Sequence, residues 1–235
     1  MNSTAVRKWI ILGVLFFLPV IFLLFLYPST HNYNSLDVVN NDVREVVDFT
    51  SIDENKRLFE GNITILSFLG YDPMGNLTVP LNLKELIYDK FKGFKKFQIL
   101  AISPIGSEDE IKKLMKELYT YDELKYWGFS FGTEAQIDQL YNSLDSKNKL
   151  DEDFATTNIF IIDKDLNQRG RIDDRKATEI EKNKSIYSLS SYNVTKVSEL
   201  KNKMNDDLRI LFTEYRQKRK GNYDSNARRA DNLDK

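Results

Sequence analysis

The sequence of 235 residues contains no cysteine and one histidine, His31. Without cysteine, the chain has no disulfide, no thiolate nucleophile, no CxxC redox pair and no thiolate metal site. A Ser-His-Asp triad or a histidine-rich metal site within one chain would have to be built around His31 alone, next to an apolar N-terminal segment. The sequence therefore predicts that the protein is not an enzyme and has no catalytic residue, metal site or cofactor.

The chain also lacks an excess of positive charge. It contains 34 lysines and arginines against 35 acidic residues, so its net charge is −1. A dedicated nucleic-acid binder needs excess positive charge to displace counterions from phosphates, and this class of partner is excluded. Hydrophobic residues make up 41% of the chain and aromatic residues 12%, which is enough for the core of one ordinary domain.

An uncharged apolar run, WIILGVLFFLPVIFLLFLY, covers residues 9–27. As a helix it would span roughly 30 Å, the thickness of a bilayer hydrocarbon core. Trp9 and Tyr27 stand at its ends, where amphipathic rings favour the headgroup region, and membrane helices tolerate a proline such as Pro19. We predict a retained transmembrane helix. The alternative is a cleaved signal peptide, although the run is long for one and no small-x-small cleavage site follows it.

Basic residues flank this run on one side only. Arg7 and Lys8 precede it, and the next basic residue is Arg44. The positive-inside rule therefore predicts that residues 1–8 are cytoplasmic and that the rest lies across the membrane. In a bacterium this is a single-pass inner-membrane protein with a periplasmic domain.

The remainder is predicted to contain a tether (28–45), a domain (46–220) and a disordered tail (221–235). Apolar, β-branched runs predict buried strands at 63–69, 97–102 and 158–162. Helical spacing predicts helices over 81–91 and 197–220, and two more that begin after Ser107 and at Thr133.

The order of these elements predicts an α/β fold. Strands separated by helix-length segments imply parallel crossovers, whereas the turn 163–168 is expected to return the chain at 169–172 as an antiparallel strand. A βαβ unit followed by a ββα unit is the thioredoxin-like arrangement. We therefore expect a thioredoxin-like mixed sheet flanked by helices, with one N-terminal transmembrane helix.

Four motifs resemble a known family. The stretch NITILSFLGYDPMGNLTVP (62–80) resembles the first strand and active-site loop of Sco/SenC proteins, which read F-G-Y-T-x-C-P-x-x-C-P. The segments ILAISP (99–104), FGTEAQI (131–137) and NIFIIDKDLN (158–167) are similar to further motifs of that family, in the same order and spacing. The resemblance covers residues 50–175. It implies a membrane-anchored thioredoxin fold of the kind that carries copper and assists cytochrome oxidase assembly.

The family's functional residues do not carry over. By alignment to its motifs, its two cysteines fall on Met74 and Thr78, and its copper-binding histidine falls on Ala155. Two thiolates and an imidazole form a soft site suited to copper, but methionine, threonine and alanine leave at most one thioether. The resemblance therefore implies a degenerate member of the family, without its copper and redox chemistry.

Several polar features have both a structural and a functional interpretation. Met74 is predicted to pack over the former active-site pocket, not to act as a lone ligand. The DKD turn 163–165 lacks the glycine and glutamate of a calcium loop, so we expect a solvated turn. Three arginines are expected to form surface pairs with neighbouring aspartates, not an anion site: Arg169, Arg171 and Arg175 beside Asp173 and Asp174.

Three regions are candidates for contact with a partner. They are the loop 70–80, an aromatic stretch at 119–131 and the basic end of the last helix, which could also touch anionic lipid. Most of the aromatic stretch is expected to be core. The side chains proposed as contacts are Tyr71, Asp72, Trp127, Arg216, Lys218 and Arg219.

These features predict a non-catalytic, membrane-anchored binding, scaffold or assembly protein, with a respiratory oxidase complex as the context that the resemblance implies. The first alternative is a metal carrier or redox-type enzyme that uses unconventional residues. The second alternative is a permanent accessory subunit of a membrane complex.

Overall fold

The computed structural model describes residues 3–26, 35–52, 56–119 and 124–221, and the chain divides into two units after residue 33. The first unit contains helix α1, Ser3–Leu26, with Pro19 inside it. Its Arg7–Leu24 stretch has a mean hydropathy of 2.1, long and apolar enough to cross a membrane. The predicted helix is therefore present up to Leu26, while Tyr27 and His31 lie outside the described residues. Whether the helix is retained stays a prediction, since a signal sequence has the same features.

The second unit is built on a mixed sheet of eight strands in the described part of the chain. Their order is β1-β7-β6-β3-β4-β5-β2, and β8 pairs with β6. The strands are β1 Asp37–Asn40, β2 Thr50–Ser51, β3 Ile63–Phe68, β4 Phe97–Pro104, β5 Trp127–Gly132, β6 Asn158–Ile162, β7 Gln168–Gly170 and β8 Tyr192–Asn193. Strands β3, β4 and β5 are parallel, whereas β6 is antiparallel to both β3 and β7. The predicted thioredoxin-like mixed sheet is confirmed.

Helices flank this sheet. They are α2 Thr78–Leu83, α3 Asp89–Phe91, α4 Glu108–Tyr119, α5 Glu134–Asn142, α6 Ala177–Ile180, α7 Val197–Glu199 and α8 Asn205–Lys220. π-Helical turns at Lys84–Tyr88 and Leu200–Met204 join α2 to α3 and α7 to α8. Thr133 caps α5 with a capping box, as its position before the helix predicted. Gly221 ends α8 at φ 73°, a left-handed conformation that glycine adopts without strain.

The central strands are buried because helices cover both faces of the sheet. All six residues of β3 are buried. Ile63 and Ile65 belong to one hydrophobic cluster, and Leu66 and Phe68 belong to the other, as the alternation of side chains along a strand requires. The continuous apolar run at 63–69 thus has the burial that its sequence predicted.

The predicted tether 28–45 is wrong in its second half. Residues 28–34 lie outside the described residues, but β1 pairs antiparallel with β7, and Leu36 and Val43 are buried. The amide of Val43 also donates to the carbonyl of Leu166 at 2.9 Å. The polar composition of this stretch concealed an edge strand, and the apolar side chains that reach the core, Leu36 and Val43, flank that strand. The predicted tail lies outside the described residues from residue 222 onward.

The predicted surface pairing of Arg169 is also wrong, and the predicted solvated turn at 163–165 is wrong for Asp163, although Asp165 is exposed. Arg169 is 4% exposed and Asp163 is 1% exposed. The Arg169 guanidinium contacts the Asp163 carboxylate at 2.9 Å and that of Glu214 at 2.6 Å. Asp163 also accepts hydrogen bonds from the amides of Asp165 and Asn167. The turn is therefore held by a buried ion-pair network, whose mutual attraction offsets the free-energy cost of desolvating the charges.

Arg171 and Arg175 follow the same pattern. Arg171 lies mostly buried between Asp207 at 2.9 Å and Asp174 at 2.9 Å. Arg175 pairs with Asp173 at 2.6 Å and both are mostly buried. The predicted pairs with neighbouring aspartates are present, Arg171 with Asp174 and Arg175 with Asp173, but these side chains are mostly buried. Arg171 is buried because its other partner, Asp207, lies on α8, far along the chain.

Candidate functional site

The loop after β3 and the loop before β6 meet at the carboxyl end of β3. Leu69 forms an isolated antiparallel bridge with Ala155, and the amide of Thr156 donates to the carbonyl of Phe68 at 3.2 Å. A cavity of about 240 Å³ lies between the two loops. Its lining is Phe68, Leu69, Asp72, Pro73, Gly75, Asn76, Val79, Asp151, Asp153, Ala155 and Thr156. This end of a parallel strand is where α/β folds place their ligands.

Gly70 allows the two loops to approach closely. Its φ is +71°, and a Cβ built on it would lie 2.5 Å from the carbonyl oxygen of Asp153 and 2.8 Å from the Cβ of Ala155. The next amide, of Tyr71, donates to that same Asp153 carbonyl at 3.0 Å. Only glycine fits here, because any side chain would meet both a steric clash and an unfavourable backbone conformation.

The structure brings the three degenerate positions to this region. Ala155 lines the cavity, and Thr78 begins α2 at the end of the loop, with its side chain exposed. Met74 is half-buried and packs against the hydrophobic core, and it is not among the residues that line the cavity. A hydroxyl, a methyl group and one thioether packed against the core do not fit copper, which needs several soft thiolate, thioether or imidazole ligands together. The donor set that the resemblance associates with copper is therefore missing from its positions.

Three carboxylates line the cavity, and two of them stabilise their own loops. Asp72 accepts a hydrogen bond from the amide of Gly75 at 2.9 Å. Asp151 accepts from the amides of Asp153 at 3.0 Å and Ala155 at 2.8 Å. Across the described ranges, no group of three histidine, cysteine, aspartate or glutamate side chains is placed to hold a metal.

Tyr71 and Asp72 were predicted as partner contacts. Asp72 is exposed and Tyr71 is half-buried. The Tyr71 hydroxyl donates to Glu134 at 2.9 Å, which raises the pKa of Tyr71 above its ordinary value because the carboxylate favours the protonated phenol. The Tyr71 ring packs edge-on against Phe154 at 6.3 Å between centroids. Their role as contacts stays a prediction.

The prediction that Trp127 contacts a partner is wrong. Trp127 is 2% exposed on β5 and packs against Tyr88 and Phe129, at 5.8 and 6.1 Å between ring centroids. Its aromatic neighbours Phe129 and Phe131 are equally buried, which confirms the expectation that most of this stretch is core. The exposed members are Tyr119 and Tyr126, and Tyr121 lies outside the described residues.

The basic end of α8 is exposed, as predicted, at Arg216, Lys218 and Arg219. Together with Lys95, Lys96 and Lys164, these side chains line a groove of about 1010 Å³. The sequence did not identify the three lysines as part of the same surface. The run KFKGFKK at 90–96 was a usable signal, but Lys164 joins it only through the pairing of distant strands.

No protein-family model matches the sequence, and no curated protein matches it. Among solved structures, a putative electron transfer protein from Aquifex aeolicus is similar with a TM-score of 0.46 and 15% identity, over 73% of this chain and 92% of that one. ScoI from Bradyrhizobium japonicum with copper bound is similar with a TM-score of 0.39 and 14% identity, over 73% of this chain and 99% of that one. Yeast Sco1 with copper bound is similar with a TM-score of 0.44 and 10% identity, over 79% of this chain and 96% of that one.

These similarities are remote, and it is the strand order of the sheet that establishes the fold. A parallel β3-β4 pair joined by a helical crossover is followed by the antiparallel strands β6 and β7 and by a terminal helix, α8. The chain therefore has a thioredoxin-like fold, contains no cysteine, and resembles Sco proteins among other thioredoxin-fold proteins.

Proposed function

We propose that this chain is a non-catalytic binding protein, a thioredoxin-like domain that acts as a scaffold or assembly factor at a membrane. One observation carries the proposal. The loops at the carboxyl end of β3 keep their close packing through Gly70 and Ala155, yet Met74, Thr78 and Ala155 supply no thiolate or imidazole. A scaffold retained without its reactive side chains supports binding over redox chemistry.

Helix α1 supports the placement at a membrane. Its apolar stretch is long enough to span a bilayer, and the basic residues Arg7 and Lys8 precede it. The proposed arrangement is a single-pass bacterial inner-membrane protein with a cytoplasmic N-terminus and a periplasmic domain. The similarity to Sco proteins makes a respiratory oxidase complex the first partner to test.

Copper titration tests the non-catalytic part of the proposal. The full chain, purified in neutral detergent, is titrated with Cu(I) and Cu(II) against a competing chelator. The expected result is no stoichiometric binding at micromolar or tighter affinity. Stoichiometric binding at that affinity would overturn the proposal in favour of a metal carrier.

Affinity purification tests the binding part. The tagged chain, expressed at its native level, is solubilised from membranes in mild detergent and recovered with its tag. We expect the same membrane-complex subunits to accompany it in every preparation, with oxidase subunits among them. Repeated recovery of the chain alone would contradict a scaffold role.

The mass of the mature chain tests the anchor. A retained helix leaves a membrane-bound protein close to the full 27.5 kDa. Cleavage after residue 27 would release a shorter chain into the soluble fraction, which mass spectrometry of the two fractions distinguishes. Recovery of only the shorter chain would refute the membrane anchor while leaving the binding role of the domain open to the purification experiment.

A further inference from the structure

A second surface of the domain, here called the basic groove, lies far from the loops at the carboxyl end of β3. It is formed by the turn 93–96, the turn 164–165 and the last turns of α8, with Ile63 at the start of β3. Its volume is about 1010 Å³. Six cations line it: Lys95, Lys96, Lys164, Arg216, Lys218 and Arg219.

Aromatic rings line the same groove. Phe94 stacks on Phe212 at 4.4 Å between centroids and leaves part of its ring accessible. The ammonium groups of Lys164 and Lys218 lie over the ring of Tyr215, 4.8 and 5.0 Å from its centroid. The groove therefore combines an apolar surface for a side chain with cations held in place by cation–π contacts.

Most of the positive charge in the groove is not neutralised by the described residues. Lys218 pairs with Glu214 at 2.8 Å, whereas the other five cations have no carboxylate within ion-pair distance among those residues. Asp165, the one acidic residue of the lining, accepts a hydrogen bond from the hydroxyl of Tyr215 at 3.1 Å. Burial, together with the charges of Lys96 and Arg219, lowers the pKa of Lys164, so these cations are close enough to repel one another.

We propose that the basic groove binds an acidic segment of a partner protein, with carboxylates on the rim cations and an apolar or aromatic side chain on the rings of Phe94, Phe212 and Tyr215. This inference rests on the proposed binding function and names the chemistry of the partner. Opposite charges raise the rate of encounter and orient the partner, while the desolvated rings supply affinity at the centre.

The shape of the site favours a protein segment over a lipid surface. The cations stand on separate elements around a concavity, on the turn 93–96, at Lys164 and on α8. A flat bilayer surface would reach the outermost of them and leave the aromatic lining unused, whereas an inserted segment contacts both. The chain's own residues 222–235 contain three aspartates against two arginines and one lysine, so they lack the net negative charge that the groove requires.

Charge reversal tests the proposal. The probe is a fluorescein-labelled peptide of alternating glutamate and glycine with one central phenylalanine, and binding to the full chain in neutral detergent is followed by anisotropy. The variant Lys96→Glu/Arg219→Glu changes two exposed groove cations. We expect it to weaken binding at least about tenfold, as loss of two charge-assisted contacts implies.

The matched control is Lys182→Glu/Lys201→Glu, which makes the same change in net charge at exposed positions outside the groove. It should bind the peptide as the unmodified chain does. Added salt should weaken binding, because five of the six groove cations are exposed and their charges are screened. A peptide with glycine in place of the central phenylalanine should bind less tightly, since it leaves the rings unoccupied.

Four results would overturn the proposal. Two concern the peptide alone: equal loss of binding in both double variants, or no binding up to millimolar peptide. The other two are groove-dependent binding to phosphatidylglycerol vesicles without binding to the peptide, and peptide binding that appears only when residues 222–235 are deleted. The last two would assign the groove to lipid or to the tail. If the chain fails these tests but still copurifies with membrane subunits, the role of the basic groove is refuted and the proposed binding function is not. Copper binding would refute the proposed function whatever the result with the peptide.

Discussion

The guanidinium of Arg169 on β7 contacts the carboxylate of Glu214 on α8 at 2.6 Å, and both side chains are almost completely buried. The same guanidinium pairs with Asp163 and donates to the carbonyl of Leu36. One arginine thus joins the residue before β1, the β6–β7 turn and the last helix. This arrangement also places the basic end of α8 beside Lys164 and Asp165, where the groove forms.

We expect Arg169→Met to destabilise the domain strongly. The substitution leaves the carboxylates of Asp163 and Glu214 buried without their main cation, and breaking a buried pair in this way typically costs about 3–5 kcal/mol. Thermal unfolding of the full chain in detergent, followed by near-ultraviolet circular dichroism, measures the effect.

Arg209→Met is the matched control on the same helix. Arg209 is 68% exposed and lies 3.7 Å from Asp206, which is also exposed. Its removal should change stability by less than about 0.5 kcal/mol, as is usual for surface substitutions. Similar losses of stability in the two variants would show that the Arg169 network is no more important than surface charge.

Gly70→Ala should destabilise the domain more than Gly61→Ala. Both glycines have positive φ, +71° and +74°, so both substitutions carry a backbone cost of about 1–2 kcal/mol. A Cβ at Gly61 would meet nothing within 4 Å, whereas at Gly70 it would lie 2.5 Å from the Asp153 carbonyl oxygen. Equilibrium unfolding in urea compares the two variants, and equal losses would show that the close approach at Gly70 relaxes without cost.

The triple variant Met74→Cys/Thr78→Cys/Ala155→His should acquire copper binding. It supplies two thiolates and an imidazole at the positions that the resemblance assigns to copper ligands, and Ala155 lines a cavity of about 240 Å³. One Cu(I) per chain is expected in competition with a chelator. Ala155→His alone should not bind, and a triple variant that folds but remains without copper would contradict the correspondence of these three positions.

Glu179 should titrate far below its ordinary range. The amide of Lys176, the hydroxyl of Tyr187 and the ammonium of Lys184 all donate to its carboxylate and lower its pKa from 4.5 to about 2. These contacts favour the charged carboxylate, so their stabilisation is complete above about pH 4.5 and is lost as the pH falls through about 2. Carbon-detected NMR of the glutamate carboxyls measures the titration directly.

Tyr187→Phe should raise the pKa of Glu179 because it removes one of the three donors. Tyr126→Phe, at another exposed tyrosine, should leave it unchanged. A Glu179 carboxyl that titrates near 4.5 in the unmodified chain would show that these hydrogen bonds do not persist in solution.

The secondary structure of the central sheet was predictable because its signals are local. The run ITILSFL is β-branched and apolar, and it forms β3 with every side chain buried. Thr133 and Gln136 carry the capping-box pattern, and they form that box at the start of α5. Strand β5 was not predicted because its run, WGFSFG, is aromatic and glycine-containing and not a β-branched apolar run. Strands β1, β2 and β8 were missed because they are only two to four residues long.

The sites were predictable only in part. Aligning motifs along the chain identified Met74, Thr78 and Ala155, and folding brings Ala155 against the loop 70–78. Trp127 was misjudged because an aromatic residue on a strand of this spacing suits either an exposed or a buried face. The burial of Arg169 and Arg171 was missed because their partners Glu214 and Asp207 are more than thirty residues away.

The amino-acid sequence is enough to show what this protein lacks and which elements it forms: no cysteine, one long apolar helix, and alternating strands and helices. Composition and short-range periodicity are sufficient for these conclusions. Which charges are buried in ion pairs and which remain exposed becomes visible only in the folded domain. Arg169 and Lys164 lie five residues apart, yet one is enclosed by carboxylates and the other faces a groove of cations, because burial and charge neutralisation depend on neighbours that only folding brings together.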